Sequence, residues 1–180
     1  CIYFRWIDWY FNLTMKSVIN NKIYLSLETT GLDSNNFKII EIAALKIDAY
    51  NNKSLFNKLI NPQKKLEQEV SKLTLISDDD LSEQKNFDQI KNDLLSFLGN
   101  SRIVVHNEKF ITGFLDKELK NEVKNEFEDI NELYLKKFPN ENASFSAILN
   151  KFNLRIDTKF SSSLNEVLLL PNIYQELLKE

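Results

Sequence analysis

Apolar and polar residues alternate strictly from Lys22 to Glu28. Ile23, Leu25 and Leu27 fall on one side of an extended chain, and Lys22, Tyr24, Ser26 and Glu28 on the other. This period of two predicts a half-buried strand. GLDSNN at 31–36 supplies turn residues, with Gly31 free to take a positive φ. KIIEIAALKI at 38–47 is more continuously apolar and predicts a second, more buried strand. SLFNKLI at 54–60 predicts a third, closed by Asn61 and Pro62. Connections this short join antiparallel neighbours, so the three strands predict a meander.

The period then lengthens. EQEVSKLT at 67–74 predicts a short helix and SDDDL at 77–81 a capped turn. Over 84–98, Phe87, Ile90, Leu94, Leu95, Phe97 and Leu98 recur at helical spacing, and Gly99 stops the run. RIVVH at 102–106 predicts a fourth strand. Helices are predicted at 108–120, 130–138, 144–152 and 162–179, with Pro139 closing one and Pro171 interrupting the last. Strands followed by helices that alternate with at least one more strand predict an α/β fold, a mixed sheet packed against helices.

With 180 residues, 43% apolar and 27% charged, the chain is long and apolar enough for one domain with a substantial core. A formal net charge of −3 gives no whole-molecule attraction for a polyanion, although a local basic groove or a bound metal could supply it. The single cysteine, Cys1, allows no internal disulfide, which fits a reducing compartment. The stretch CIYFRWIDWYFNLT at 1–14 is unlike the rest: rich in aromatics, interrupted by Arg5 and Asp8. It is too short for a membrane span and lacks the marks of a signal peptide. Two readings stand: sequence upstream of a natural start at Met15, or an amphipathic arm packed on the domain. Residues 1–14 are therefore expected to be an extension and 15–180 a single domain.

The order of the motifs resembles a family. YLSLETTGLDSNNFKIIEIAALKI is similar to the first motif of the DEDDh, or DnaQ-like, 3′–5′ exonucleases. These include ribonuclease T and replicative-polymerase proofreading subunits such as DNA polymerase III epsilon. NPQKKLEQEVSKLTLISDDDL resembles the segment that follows, VVHNEKFITGFLDKEL the second motif, and SSSLNEV falls where the third belongs. The resemblance covers residues 22–180 and implies a ribonuclease H-like mixed β-sheet flanked by helices, in a cytoplasmic protein. In such enzymes four carboxylates hold two divalent ions, and a histidine takes the proton from the attacking water.

Position by position, the residues differ from that scheme. Ser26 stands where the first motif has Asp, while its Glu is kept as Glu28. Ile111 follows Phe110 where the second motif has Asp. Ser161 stands where the third has His, five residues before Glu166, which replaces Asp. The resemblance thus implies a degenerate member, a pseudo-exonuclease acting as a nucleic-acid- or protein-binding module. Glu28 and Glu166 are its residual, weak metal positions, and Mg²⁺ or Mn²⁺ would be the cofactor of any remaining activity. In a rival reading the enzyme survives, with Glu41 or Asp129 joining Glu28 and Glu166 in a one-metal site. Asp116 fits less well, lying about 140° around the helix from Ile111.

In the family the turn after the first motif touches the 3′-terminal nucleotide. Thr29, Thr30, Gly31 and Leu32 are therefore candidate nucleic-acid contacts, with Leu32 as an apolar wedge; the same residues also read as a strand-ending turn. His106, Asn107 and Phe110 join that group. His106 reads alternatively as an anchor of the core, and Asn107 as a helix cap. Glu41, set among Ile39, Ala43 and Leu45, is expected to be a paired structural carboxylate, and Asp129 a structural residue. Leu75 stands where the family has Gly, which removes a flexible backbone position. The implied partner is a nucleic-acid 3′ end or a polymerase or other protein, with neither a membrane nor a small-molecule substrate. Carboxylates gathered near Glu28 would mark an enzyme, a basic, aromatic-edged groove around Thr29–Leu32 a nucleic-acid shell, and an exposed apolar patch a protein scaffold.

Overall fold

The computed structural model describes residues 21–179, so the expectations for residues 1–14 and for Met15 lie outside the described residues. Strands β1 (Lys22–Thr29), β2 (Ile39–Ile47), β3 (Lys53–Leu59), β4 (Arg102–Val105) and β5 (Phe127–Asp129) form one sheet in the order β3-β2-β1-β4-β5. β1, β2 and β3 are the antiparallel meander expected, whereas β4 and β5 add in parallel. The helices are α1 (Gln68–Thr74), α2 (Asp78–Ser82), α3 (Phe87–Leu98), α4 (Glu108–Glu118), α5 (Ile130–Lys137), α6 (Phe145–Lys151) and α7 (Ser162–Leu178).

The alternation in β1 divides the molecule into layers. Ile23, Leu25 and Leu27 pack beneath α3 and α4, against Leu94, Leu98 and Phe114. Tyr24 points to the opposite face, where Ala43, Leu45 and Val104 meet Val167, Leu170 and Ile173 of α7. Ser26 and Glu28 follow Tyr24 onto this second face, beside α7.

Two expectations are corrected. Helix α7 is continuous through Pro171. The proline denies a donor to the Val167 carbonyl, a cost of about 3 kcal/mol. Pro171 is nonetheless buried with Leu170, Ile173, Tyr174 and Leu177 on the side of α7 that covers β1 and β2. Burying such side chains yields about 1.5–3 kcal/mol each, which outweighs the lost bond. Gly31, in turn, does not have a positive φ; among the glycines that conformation belongs to Gly99. Gly31 is required by space, since a Cβ there would lie 2.5 Å from the Phe37 ring.

Leu75, where the resembled motif has Gly, adopts the left-handed conformation. It caps α1 with φ 60° and ψ 21°, its N–H bonded to the Ser71 carbonyl at 3.0 Å. A side chain in this conformation costs roughly 1–2 kcal/mol, part of which Gly returns as entropy of the unfolded chain. Leu75→Gly is therefore expected to raise unfolding stability by about 1 kcal/mol in urea titration. A loss would mean that this exposed leucine carries packing after all.

Candidate functional site

Three glutamates come together where β1 ends, β2 begins and α7 starts. Glu28 and Glu41 are directly opposed across the β1–β2 ladder. Glu166 sits in the first turns of α7.

The run SSSLNEV supplies most of their hydrogen bonds. Ser161 is the N-cap of α7, its Oγ accepting from the Leu164 N–H at 3.4 Å. The same hydroxyl donates to Glu41 Oε1 at 2.8 Å, and the Ser163 hydroxyl donates to Glu41 Oε2 at 2.6 Å. Glu41 is 2% exposed, so both oxygens exchange water for these hydroxyls. This is the paired structural carboxylate expected from its neighbours. Glu28 is half-buried and is faced by the Ser163 N–H and the Ser162 hydroxyl, at the helix end where a negative charge is favoured. Burial, and then the charge of Glu41, nevertheless push its pKa up to about 7. Glu166 is pushed up to about 8, first by burial and then by Glu28, against a hydrogen bond from Ser26.

The other positions separate into buried, bracing and exposed residues. Ile111 lies in the first turn of α4, 2% exposed, within the core that includes Phe114 and Leu115. Asp129 is a brace: its oxygens accept from the backbone N–H groups of Asn107, Glu108 and Asn131 at 3.1, 2.9 and 2.8 Å. Asn107 is the N-cap of α4, its side chain accepting from the Phe110 N–H. His106 anchors a loop, with Nε2 3.0 Å from the Ala143 carbonyl and the ring edge-on to Phe145. Phe110 is half-buried against Phe114, ring centroids 5.0 Å apart. Thr29 donates to the Gly31 carbonyl at 2.6 Å, and buried Thr30 accepts from the Lys38 N–H at 2.9 Å. Leu32, by contrast, is 86% exposed.

Burial and mutual repulsion thus keep Glu28 and Glu166 above the ordinary carboxylate range. The Ser161 hydroxyl is committed to Glu41. Among the described residues, no three His, Cys, Asp or Glu side chains are placed to hold one ion in common. The sequence reading passed over Ser162 and Ser163, although three serines ahead of an apolar run are a recognisable helix-start signal.

Open space flanks the glutamates as two adjoining cavities. One, of about 330 Å³, is bordered by Glu41, Asn57, Asp80, Lys159 and Ser161. The other, of about 370 Å³, is bordered by Leu73, Phe145, Ile156, Asp157 and Glu166. Thr74, Leu75, Thr158 and Phe160 line both.

Comparison with known proteins accounts for the overall design. The family described as exonuclease matches residues 24–163. The DNA polymerase III subunit epsilon of Buchnera aphidicola subsp. Baizongia pistaciae is 30% identical over 170 residues, 86% of this chain and 69% of that protein. The PolC-type DNA polymerase III of Clostridium perfringens is 33% identical over 97 residues, 54% of this chain but 7% of that much longer protein. Among solved structures, the nuclease domain of 3′hExo, a DEDDh family member bound to rAMP, superposes with a TM-score of 0.75 at 16% identity, over 88% of this chain and 92% of that one. Exonuclease X in complex with 5′ overhanging duplex DNA gives 0.68 at 16% identity, over 86% and 92%. At such identities the structural likeness speaks for the fold. Motif order, mixed sheet and sequence relatives agree: the chain belongs to the exonuclease family, as a ribonuclease H-like domain of the DnaQ-like 3′–5′ type.

Proposed function

We propose that this domain is a pseudo-exonuclease, which uses the exonuclease fold to bind a partner without cleaving nucleic acid. The observation that carries this reading is the set of serine hydroxyls now serving the glutamates: Ser161 and Ser163 on Glu41, Ser162 on Glu28, Ser26 on Glu166. A two-ion site requires deprotonated carboxylates arranged around both ions. Here Ser26 and Ile111 bring no charge, which leaves Glu28 and Glu166 of the four carboxylate positions, so the residues present do not fit a pair of ions. No imidazole stands at 161, and loss of a general base alone typically costs ~10²–10⁴ in rate.

A second reading, a reduced one-metal exonuclease, draws support from the electrostatic coupling of Glu28 to both Glu41 and Glu166. Digestion separates the two. A 3′-labelled single-stranded DNA and its RNA counterpart, incubated with Mg²⁺ or Mn²⁺, are expected to stay full length with the parent protein and with Glu28→Ala. Metal-dependent shortening by the parent, lost in Glu28→Ala, would establish the one-metal enzyme instead.

By the names of its sequence relatives, the setting we infer is a DNA polymerase assembly, with a polymerase subunit or a nucleic-acid 3′ end as partner. Side chains exposed around the cleft lean towards protein: Leu73, Leu75, Ile156 and Phe160 all stand partly in solvent there. No helix among the described residues is long and apolar enough to cross a membrane.

A further inference from the structure

We propose that the double cavity beside the glutamates docks an extended segment of a partner protein, one that presents an arginine or lysine between apolar residues. The inference rests on the pseudo-exonuclease reading, because bound metal ions would reverse the sign of the cavity lining.

The rim and the lining select different features of that segment. On the rim, Leu73 and Leu75 at the end of α1 are 81% and 76% exposed, and Ile156 and Phe160 ahead of α7 are 55% and 41% exposed. Single exposed leucines are ordinary on a soluble protein. Four large apolar side chains around one opening form a patch of the kind that marks contact surfaces. The lining is acidic: Glu41 and exposed Asp80 border one cavity, Glu166 and exposed Asp157 the other, with Lys159 the basic side chain among the lining residues. Such a surface repels a phosphodiester and attracts a cation. A guanidinium or ammonium entering beside Glu166 would favour its ionised form, and an arginine fork can bond carboxylate oxygens in pairs.

Size and shape favour an extended chain. Volumes of about 330 and 370 Å³ lie at the small end of ligand pockets, suited to individual side chains. Thr74, Leu75, Thr158 and Phe160 are common to both cavities, so a strand crossing them would place one side chain in each. Alternate side chains seated in pockets are a recurring mode of peptide recognition.

Fluorescence anisotropy tests the inference with three labelled probes: a short peptide of alternating Leu and Arg, its Leu–Glu counterpart, and an oligo-dT strand. The Leu–Arg peptide is expected to bind, and to weaken about tenfold in Glu166→Gln and about tenfold in the Leu73→Ser/Ile156→Ser double variant. Glu166→Gln keeps the side-chain volume, and the double variant changes side chains more than half exposed, so both are expected to fold. Circular dichroism checks that they do. Equal binding of the Leu–Glu peptide would overturn the proposal. So would Leu–Arg affinity unchanged in both variants, or binding of oligo-dT alone. Failure of the peptide to bind, with oligo-dT left intact in the digestion, defeats the docking inference only. Metal-dependent shortening of oligo-dT defeats the pseudo-exonuclease reading itself.

Discussion

Glu166→Gln is expected to stabilise the domain by about 2–4 kcal/mol at pH 8 while changing little at pH 4.5. Glu166 has a folded-state pKa of about 8 against an ordinary value of 4.5. A carboxyl whose pKa rises on folding takes up a proton. Its contribution is fully present below the unfolded value and is lost as pH climbs through the folded one. Between about pH 4.5 and 8 the parent must therefore give up stability, as Glu166 is charged beside Glu28 in a partly dry site. Glutamine removes that charge, keeps an oxygen to accept from Ser26, and relieves Glu28 as well. Urea unfolding of parent and variant across this range measures the difference. Parallel pH profiles for the two proteins would mean that Glu166 is well solvated and does not feel Glu28.

Ile111→Asp is expected to cost about 3–5 kcal/mol and to restore no hydrolysis. Ile111 is 2% exposed within the core beneath α3 and α4. Truncating a buried aliphatic side chain costs about 2–5 kcal/mol, and the new carboxylate would be buried among apolar side chains. A one-residue reversal is therefore not expected to recover the carboxylate that the resembled second motif carries. Unfolding curves with and without Mg²⁺ check this. Parental stability, or recovery on adding Mg²⁺, would place residue 111 at the edge of an ion site and reopen the catalytic reading.

What the sequence made legible was mostly local. Alternation in β1 assigned Tyr24, Ser26 and Glu28 to one face because a strand has a period of two, and the structure keeps that face. Short turns announced the meander. β5 could not be seen, since the three residues of FED are too few to display any period. Pro171 was misjudged because its local penalty is fixed, whereas the compensating burial depends on a sheet that forms far away in sequence. The largest omission was of the same kind. Ser161 lies 120 residues from Glu41, and no spacing rule links a strand carboxylate to the hydroxyls of a helix so distant. The exposed rim was not foreseen: Leu73, Leu75, Ile156 and Phe160 are apolar, and composition alone does not tell an exposed apolar side chain from a buried one.

The bond between Glu41 and α7 also bears on the order in which the molecule assembles. While α7 is undocked, closing β2 against its layer would bury Glu41 with no donor for either oxygen, at a cost of several kcal/mol. The meander, although made first, cannot seal that face until Ser161 and Ser163 arrive. Its acid face must wait, wet and open, for a helix synthesised more than a hundred residues later. Folding of such a chain is governed by distant contacts, and these are slow to form. A nascent chain released before α7 emerged would leave Glu41 without either of its hydroxyl donors.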